Sequence, residues 1–214
     1  MPSTTVSQYD SMALESCPLG CYFGIRFVAI TIVLFLNSFH CIQSVFAQDE
    51  GTSREYKLKV AYLYNFSRYV SWPVYAYTSP QAPFVIGILG NDPFGPTIDS
   101  LAKMKKVGDR SVVVKRFRSA SEYVPCHILF VSGSTHNLHH DEALQVAAGS
   151  ATLIVGEATG FAQRGGTVSF FNDPNGTIGF EINIDATKRQ FLSFQAPVLK
   201  LANIVHDSAD RMGP

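Results

Sequence analysis

Apolar residues along the chain change their spacing several times, and each spacing predicts an element. From Arg54 to Val70 they recur at helical intervals, with Tyr56, Val60, Leu63 and Ser67 on one face and Leu58, Tyr62, Phe66 and Tyr69 on the next. Thr52 or Ser53 is placed to cap this helix. Trp72-Pro73 ends it, because the residue before a proline is driven out of the helical region. So wide an apolar sector predicts a helix covered on more than one side, beneath a sheet or in a subunit contact. Phe84–Leu89 is a short continuous apolar run, the pattern of a strand covered on both faces. Gly90-Asn91-Asp92-Pro93 follows and predicts a helix capped by Asp92, with Pro93 at its first position, that ends near Lys105. Further strands are expected at Ser111–Phe117, His127–Val131 and Thr152–Val155, with a turn at Ser119–Val124 and a helix from Asn137 to Ala148.

Beyond Gly160 the pattern changes. Thr167–Phe171 and Thr177–Ile184 flank Asn172-Asp173-Pro174-Asn175-Gly176, a turn segment that predicts a β-hairpin. In its second strand Ile178, Phe180, Ile182 and Ile184 share one face, so Glu181 and Asn183 share the other. Asp185–Arg189 and Ser193–Val205 are expected to be helices, the latter with Pro197 in its first turn. The fold class that follows is α/β: a single three-layer domain with a mainly parallel sheet of about five to six strands, a C-terminal β-hairpin and flanking helices.

The N-terminal stretch follows a different logic. Phe27–Phe39 is an apolar run after Arg26, and it is shorter than the roughly 20 residues a helix needs to cross a bilayer. Val45-Phe46-Ala47 precedes the polar Gln48-Asp49-Glu50. That is the order of an export signal, with cleavage expected after Ala47 and Met12 as an alternative start. The alternative is an uncleaved N-terminal membrane anchor. The domain expectation is therefore a signal peptide at 1–47, a linker at 48–53, the α/β domain at 54–205 and a polar tail at 206–214, with the protein exported from the cytoplasm. Of the four cysteines, Cys17, Cys21 and Cys41 lie in the leader, so the mature chain retains Cys126, read as a buried structural thiol or an intermolecular one. Lys plus Arg equals Asp plus Glu at 17 each, which removes the positive field that nucleic-acid binding requires. With 46% hydrophobic and 16% charged residues the chain has ample material for a core.

Several segments stand in a fixed order: Val60-Ala-Tyr-Leu-Tyr-Asn-Phe66 with Trp72-Pro73, Ile88-Leu-Gly-Asn-Asp-Pro-Phe-Gly95, Cys126-His-Ile-Leu-Phe130, Gly160-Phe161 with Gly165-Gly166, and Phe180-Glu-Ile-Asn183. Together they resemble the YfiR-like family over roughly residues 54–205. The resemblance implies a periplasmic α/β protein, often dimeric, that restrains an inner-membrane diguanylate cyclase by binding its periplasmic portion. For other members it implies sensory roles beside histidine kinases or outer-membrane receptors, so a small-molecule-binding sensory domain is the alternative. With one mature cysteine, a switch built on intramolecular disulfides is not expected.

Candidate chemistry is sparse. Val131-Ser132-Gly133-Ser134 lacks the nucleophile elbow of acyl-transfer enzymes, and no paired carboxylates or nucleophile–base set emerges, so no catalytic residue, cofactor or metal is assigned. His136, His139, His140 and Asp141 form a polar cluster, read as a solvated helix start and not as a zinc site, which needs three or four supported ligands. Strand ends beside helix N-termini are where open α/β sheets bind ligands. Ligand or partner contacts are therefore expected at Asn65 and Trp72, at Asn91 and Asp92, at Ser132 and Ser134, at Glu157 and Phe161, and at Glu181 and Asn183. For Asp92 a capping role, and for the last pair packing against a helix terminus, are the competing readings.

Overall fold

The computed structural model describes residues 54–133, 137–173 and 175–208; the predicted leader and linker, Ser134, His136 and the end of the tail lie outside these. The first helix, α1, runs over residues 54–69, as its periodicity predicts. It gives way to β1 (Val70–Ser71), which pairs antiparallel with β9 (Ser193–Phe194). Then come β2 (Phe84–Leu89), α2 (Pro96–Met104), β3 (Lys106–Val107), β4 (Arg110–Phe117), β5 (Ile128–Val131), α3 (Asn137–Val146) and β6 (Leu153–Gly156). The C-terminal part holds β7 (Val168–Asn172), β8 (Ile178–Asn183), α4 (Ile184–Arg189), α5 (Ala196–Leu199) and β10 (Asn203–Val205).

Eight strands form the main sheet in the order β10-β8-β7-β6-β5-β2-β4-β3. Pairing is parallel for β2–β4, β2–β5, β5–β6, β6–β7 and β8–β10, and antiparallel for β3–β4 and for the β7–β8 hairpin. The mainly parallel α/β sheet with its C-terminal hairpin is as expected; the strand count exceeds the expected five to six because β3 and β10 are short edge strands that carry no strong pattern.

The continuous apolar strands are explained by cover on both faces. Ile86, Ile88, Ile128 and Phe130 join Val60, Leu63 and Phe66 of α1 and Ile98 of α2 in one core. Their neighbours Leu89, Leu129, Val131 and Ile154 face Ala143, Leu144 and Ala147 of α3 in a second. The period of two sends alternate side chains to opposite layers. Leu58 of α1 remains 43% exposed, so the helix is covered along one stripe and its outer face is open.

Two expected helices are corrected. Ser193–Val205 is not one helix: it divides into β9, the four-residue α5 and β10, whose Asn203–Val205 pairs with Glu181–Asn183 of β8. The second core helix starts three residues later than expected, with Pro96 and not Pro93 in its first turn. Gly95 at φ 50° redirects the chain there, and Asp92 folds back on the loop, its Oδ1 accepting from the amides of Phe94 and Gly95. No described helix is long and apolar enough to cross a membrane.

Candidate functional site

β4 and β5 lie on opposite sides of β2, so the connection reverses direction across that strand. The carboxyl ends of the parallel strands around this reversal form the crevice where open sheets take ligands. Here Gly133 follows β5, Glu157 follows β6 and Asn172 ends β7, and α1 passes close enough to add Glu55, Tyr56 and Lys59. These residues, with Phe170 and Phe171, line a cavity of about 310 Å³.

Its central feature is an ion pair inside the protein. Lys59 is 4% exposed, and its Nζ lies 2.6 Å from Glu157 Oε2 and 2.6 Å from Glu55 Oε1. Glu157 Oε1 accepts from the Gly133 amide at 2.8 Å and from the Tyr56 hydroxyl at 3.4 Å. Gly133 permits this approach, since a Cβ there would stand 2.7 Å from Glu157 Cγ. Burial alone would lower the Lys59 pKa, but its bonds to Glu157 and Glu55 outweigh burial and hold the ammonium above its ordinary value. Burial, helped by the Glu157 charge, raises Tyr56, which keeps its phenol a donor. One lysine between two carboxylates leaves the cluster an excess of negative charge. A second crevice on the other side of Glu157 is lined by Thr159, Ser169, Phe170, Asn172 and Glu181.

The structure sorts the expected site residues. Glu157 and Glu181 border one crevice. Glu181 Oε2 also accepts from Gln163 Nε2 at 3.1 Å. Asn183 shares the Glu181 face but is fully buried: it caps α4 by accepting from the Asp185 and Ala186 amides, and it donates to the Ala162 carbonyl. Packing at a helix terminus, not ligand contact, is its role. Phe161 is likewise a core residue, wedged so tightly that a Cβ at Gly156 or Gly166 would fall 2.5 or 2.3 Å from its ring. Asp92 is occupied by its loop and by Arg116, whose Nε donates to Oδ2 at 2.7 Å while its other nitrogens bind Asp99. Ser132 is buried, and Asn91 and Asn65 are exposed. Ser134 lies outside the described residues. Trp72 belongs to the opposite end of the sheet, where its Nε1 donates to the His127 carbonyl and its ring meets Phe84 edge-on at 5.1 Å. His140 is not solvated as expected; it is buried, with Nε2 3.5 Å from the Ser132 carbonyl and its ring edge-on to Phe161. Cys126 is a buried thiol whose pKa burial pushes up to about 12.

Lys59, Glu55 and Tyr56 are site residues that the sequence pattern alone does not single out. The available signal is a lysine inside the stripe Val60, Leu63 and Phe66, one turn after Glu55.

A second surface adjoins the first. The exposed flank of α1, through Arg54, Glu55 and Leu58, meets Asn172, Gly176 and Ile178 of the hairpin across a groove of about 570 Å³. Among the described residues no group of three or more His, Cys, Asp or Glu side chains is arranged to hold a metal ion.

Among solved structures, a conserved domain protein from Vibrio cholerae O1 biovar El Tor is 14% identical over 56% of this chain and 54% of its own, with a TM-score of 0.42. An ABC domain in complex with L-Trp from Streptococcus pneumonia is 16% identical over 56% and 55%, also at 0.42. The chain spans about half the length of each. Comparison with curated proteins finds no match. The sequence pattern described as YfiR/HmsC-like matches residues 56–203, which takes in nearly all of α1, the whole sheet except its last two residues, and the lining of both crevices apart from Glu55. The chain belongs to the YfiR/HmsC-like family.

Proposed function

We propose that the protein is a non-catalytic periplasmic regulator that binds the periplasmic portion of an inner-membrane signalling enzyme, a diguanylate cyclase, and lowers its cyclic di-GMP output. Family membership supports the regulatory class. The observation that carries the docking surface is the groove between α1 and the hairpin, with Leu58 exposed on its wall. An exposed aliphatic side chain beside a concave polar rim is the composition of a small partner-binding patch. The purified protein, used to capture solubilised membranes, is expected to recover a membrane protein with an extracytoplasmic sensor domain and a cyclase domain. Leu58→Asp is expected to weaken that recovery by about tenfold or more with the melting temperature unchanged. No recovery of a sensor-bearing membrane protein, or recovery indifferent to Leu58, counts against the reading.

A second reading, a small-molecule sensor serving a histidine kinase or an outer-membrane receptor, is favoured by the cavity at Lys59 and Glu157. The two are compatible if occupancy of the cavity shifts the groove between two states. A thermal-shift screen with amines, amino acids and sugars tests it, because a ligand that binds only the folded state must raise stability.

A further inference from the structure

A dense run of positive charge lies along one edge of the sheet. Residues 103–118 hold seven of the chain's 17 Lys and Arg and a single carboxylate, Asp109. Asp92 and Asp99 offset Arg116, and the Glu122 carboxylate accepts from the Arg118 amide. Arg110 is turned onto the Tyr77 ring and the Ser79 and Ala82 carbonyls. Lys103, Lys105, Lys106 and Lys115 remain, all exposed, and among the described residues no carboxylate pairs with any of them.

The same edge is open. α2 ends at Met104, so β3 has room only for Lys106 and Val107 before the Gly108-Asp109 turn. β3 pairs with Arg110 and Ser111 and no further, and among the described residues Val112–Phe117 have β2 as their one strand neighbour. The Phe117 carbonyl faces β2, where it accepts from the Gly90 amide, so by alternation Val112, Val114 and Arg116 turn their amides and carbonyls outward. Lys106 stands opposite Ser111 and therefore shares a face with Val113 and Lys115. On the other face Val112 and Val114 point towards α2, at whose end Met104 is 73% exposed.

A row of unpaired backbone groups is a template for a further strand, and lysines along it decide which strand. Two copies of this edge repel each other, so the lysines guard against self-pairing, while a strand bearing carboxylates meets attraction. Each exposed ion pair adds less than about 1 kcal/mol, so the charges select and the main-chain bonds hold. We propose that the open edge of β4 takes a short extended segment of a partner protein, of alternating acidic and apolar residues, as an added strand with its carboxylates against Lys106 and Lys115. The apolar alternates then lie on the α2 side, beside Val114 and Met104. Val112–Phe117 spans about 20 Å, which sets the segment at about six residues. This edge is across the sheet from the hairpin and is independent of the groove there.

The test uses the purified protein and a capped hexapeptide of alternating glutamate and valine, with glutamine and lysine versions as controls. The glutamate peptide is expected to bind saturably below about 1 mM, the glutamine version about tenfold more weakly, and the lysine version not at all. Hydrogen exchange of the Val112, Val114 and Arg116 amides should slow when the glutamate peptide is bound. Lys106→Glu combined with Lys115→Glu, both at exposed positions, should weaken that peptide by about tenfold or more with the melting temperature unchanged. The proposal is overturned if the glutamate peptide does not bind. It is overturned equally if the peptide binds without protecting those amides, since attraction to the lysines alone leaves the edge in water. Capture of the protein by phosphatidylglycerol vesicles with no response to the peptide would also overturn it, making the basic edge a membrane contact.

Discussion

At the carboxyl end of the parallel strands Lys59 and Glu157 stay charged inside the protein because each satisfies the other, whereas at the amino end His127 and Cys126 stay inside by remaining neutral. The difference follows from what covers each end. α1 crosses the carboxyl end and brings a cation to meet a carboxylate, with the Gly133 amide completing the shell. Aromatic rings of Trp72, Tyr77 and Phe84 cover the amino end, and desolvation without a counter-charge pushes the His127 pKa down to about 4. Breaking a paired charge is therefore expensive at one end, while proton uptake is expensive at the other.

The largest effect is expected from Lys59→Met, which strands Glu157 without its cation and should cost about 3–5 kcal/mol in urea unfolding. Adding Glu157→Gln should return part of that loss. A loss below about 1 kcal/mol for the single variant would mean that water reaches the pair and that the carboxyl end is no different from an exposed surface.

The amino end should announce itself through acid. The folded pKa of His127 lies below its ordinary 6.5, so the unfolded chain takes up its proton first. Stability from this group is intact above pH 6.5 and falls as the pH drops towards 4, by about 3 kcal/mol in all. In His127→Asn, whose side-chain oxygen can still accept from Val85, that part of the acid slope should vanish from denaturant titrations run across the window. Lys59 runs the other way: its raised pKa keeps its contribution present through neutral pH and loses it only on alkaline titration beyond its ordinary 10.5. An acid slope unchanged in the asparagine variant would remove the contrast between the ends.

The smallest effects belong to the loop after β2, which tests whether the carboxyl end owes its form to charge or to capping. Asp92→Ala should cost about 1 kcal/mol by freeing the Phe94 and Gly95 amides. Arg116→Ala, which breaks pairs to Asp92 and Asp99 but acts at a side chain that is 41% exposed, should cost less than that. The reverse order would make the ion pairs, not the Asx turn, the holder of this loop.

Much of the fold is legible in the chain because its strands are buried on both faces and its first helix is long. Continuous apolar runs such as Phe84–Leu89 and Ile128–Val131 are too short for a core helix and too uniform for a half-exposed strand, which leaves the doubly covered strand. Ser193–Val205 misleads because Val198, Leu201 and Val205 mimic a helical stripe, while the decisive interaction, Asn203–Val205 beside β8, joins positions about twenty residues apart. The candidate site is legible only in Glu157 and Glu181. Phe161 and Asn183 carry the residue types of a binding site, yet the local sequence holds no sign of Gly166 closing on one or of the Ala162 carbonyl meeting the other.

Residue order and composition suffice for the family and for the alternation of strands and helices, since these rest on averages and on contacts between near neighbours. Folding in three dimensions was needed to make Lys59 a buried partner of Glu157, ninety-eight positions away, and to hold the His127 ring neutral against Phe84 and Tyr77. Burial and pairing are properties of what the fold brings together, and a lysine or a histidine reads the same in the chain whether water or a carboxylate awaits it.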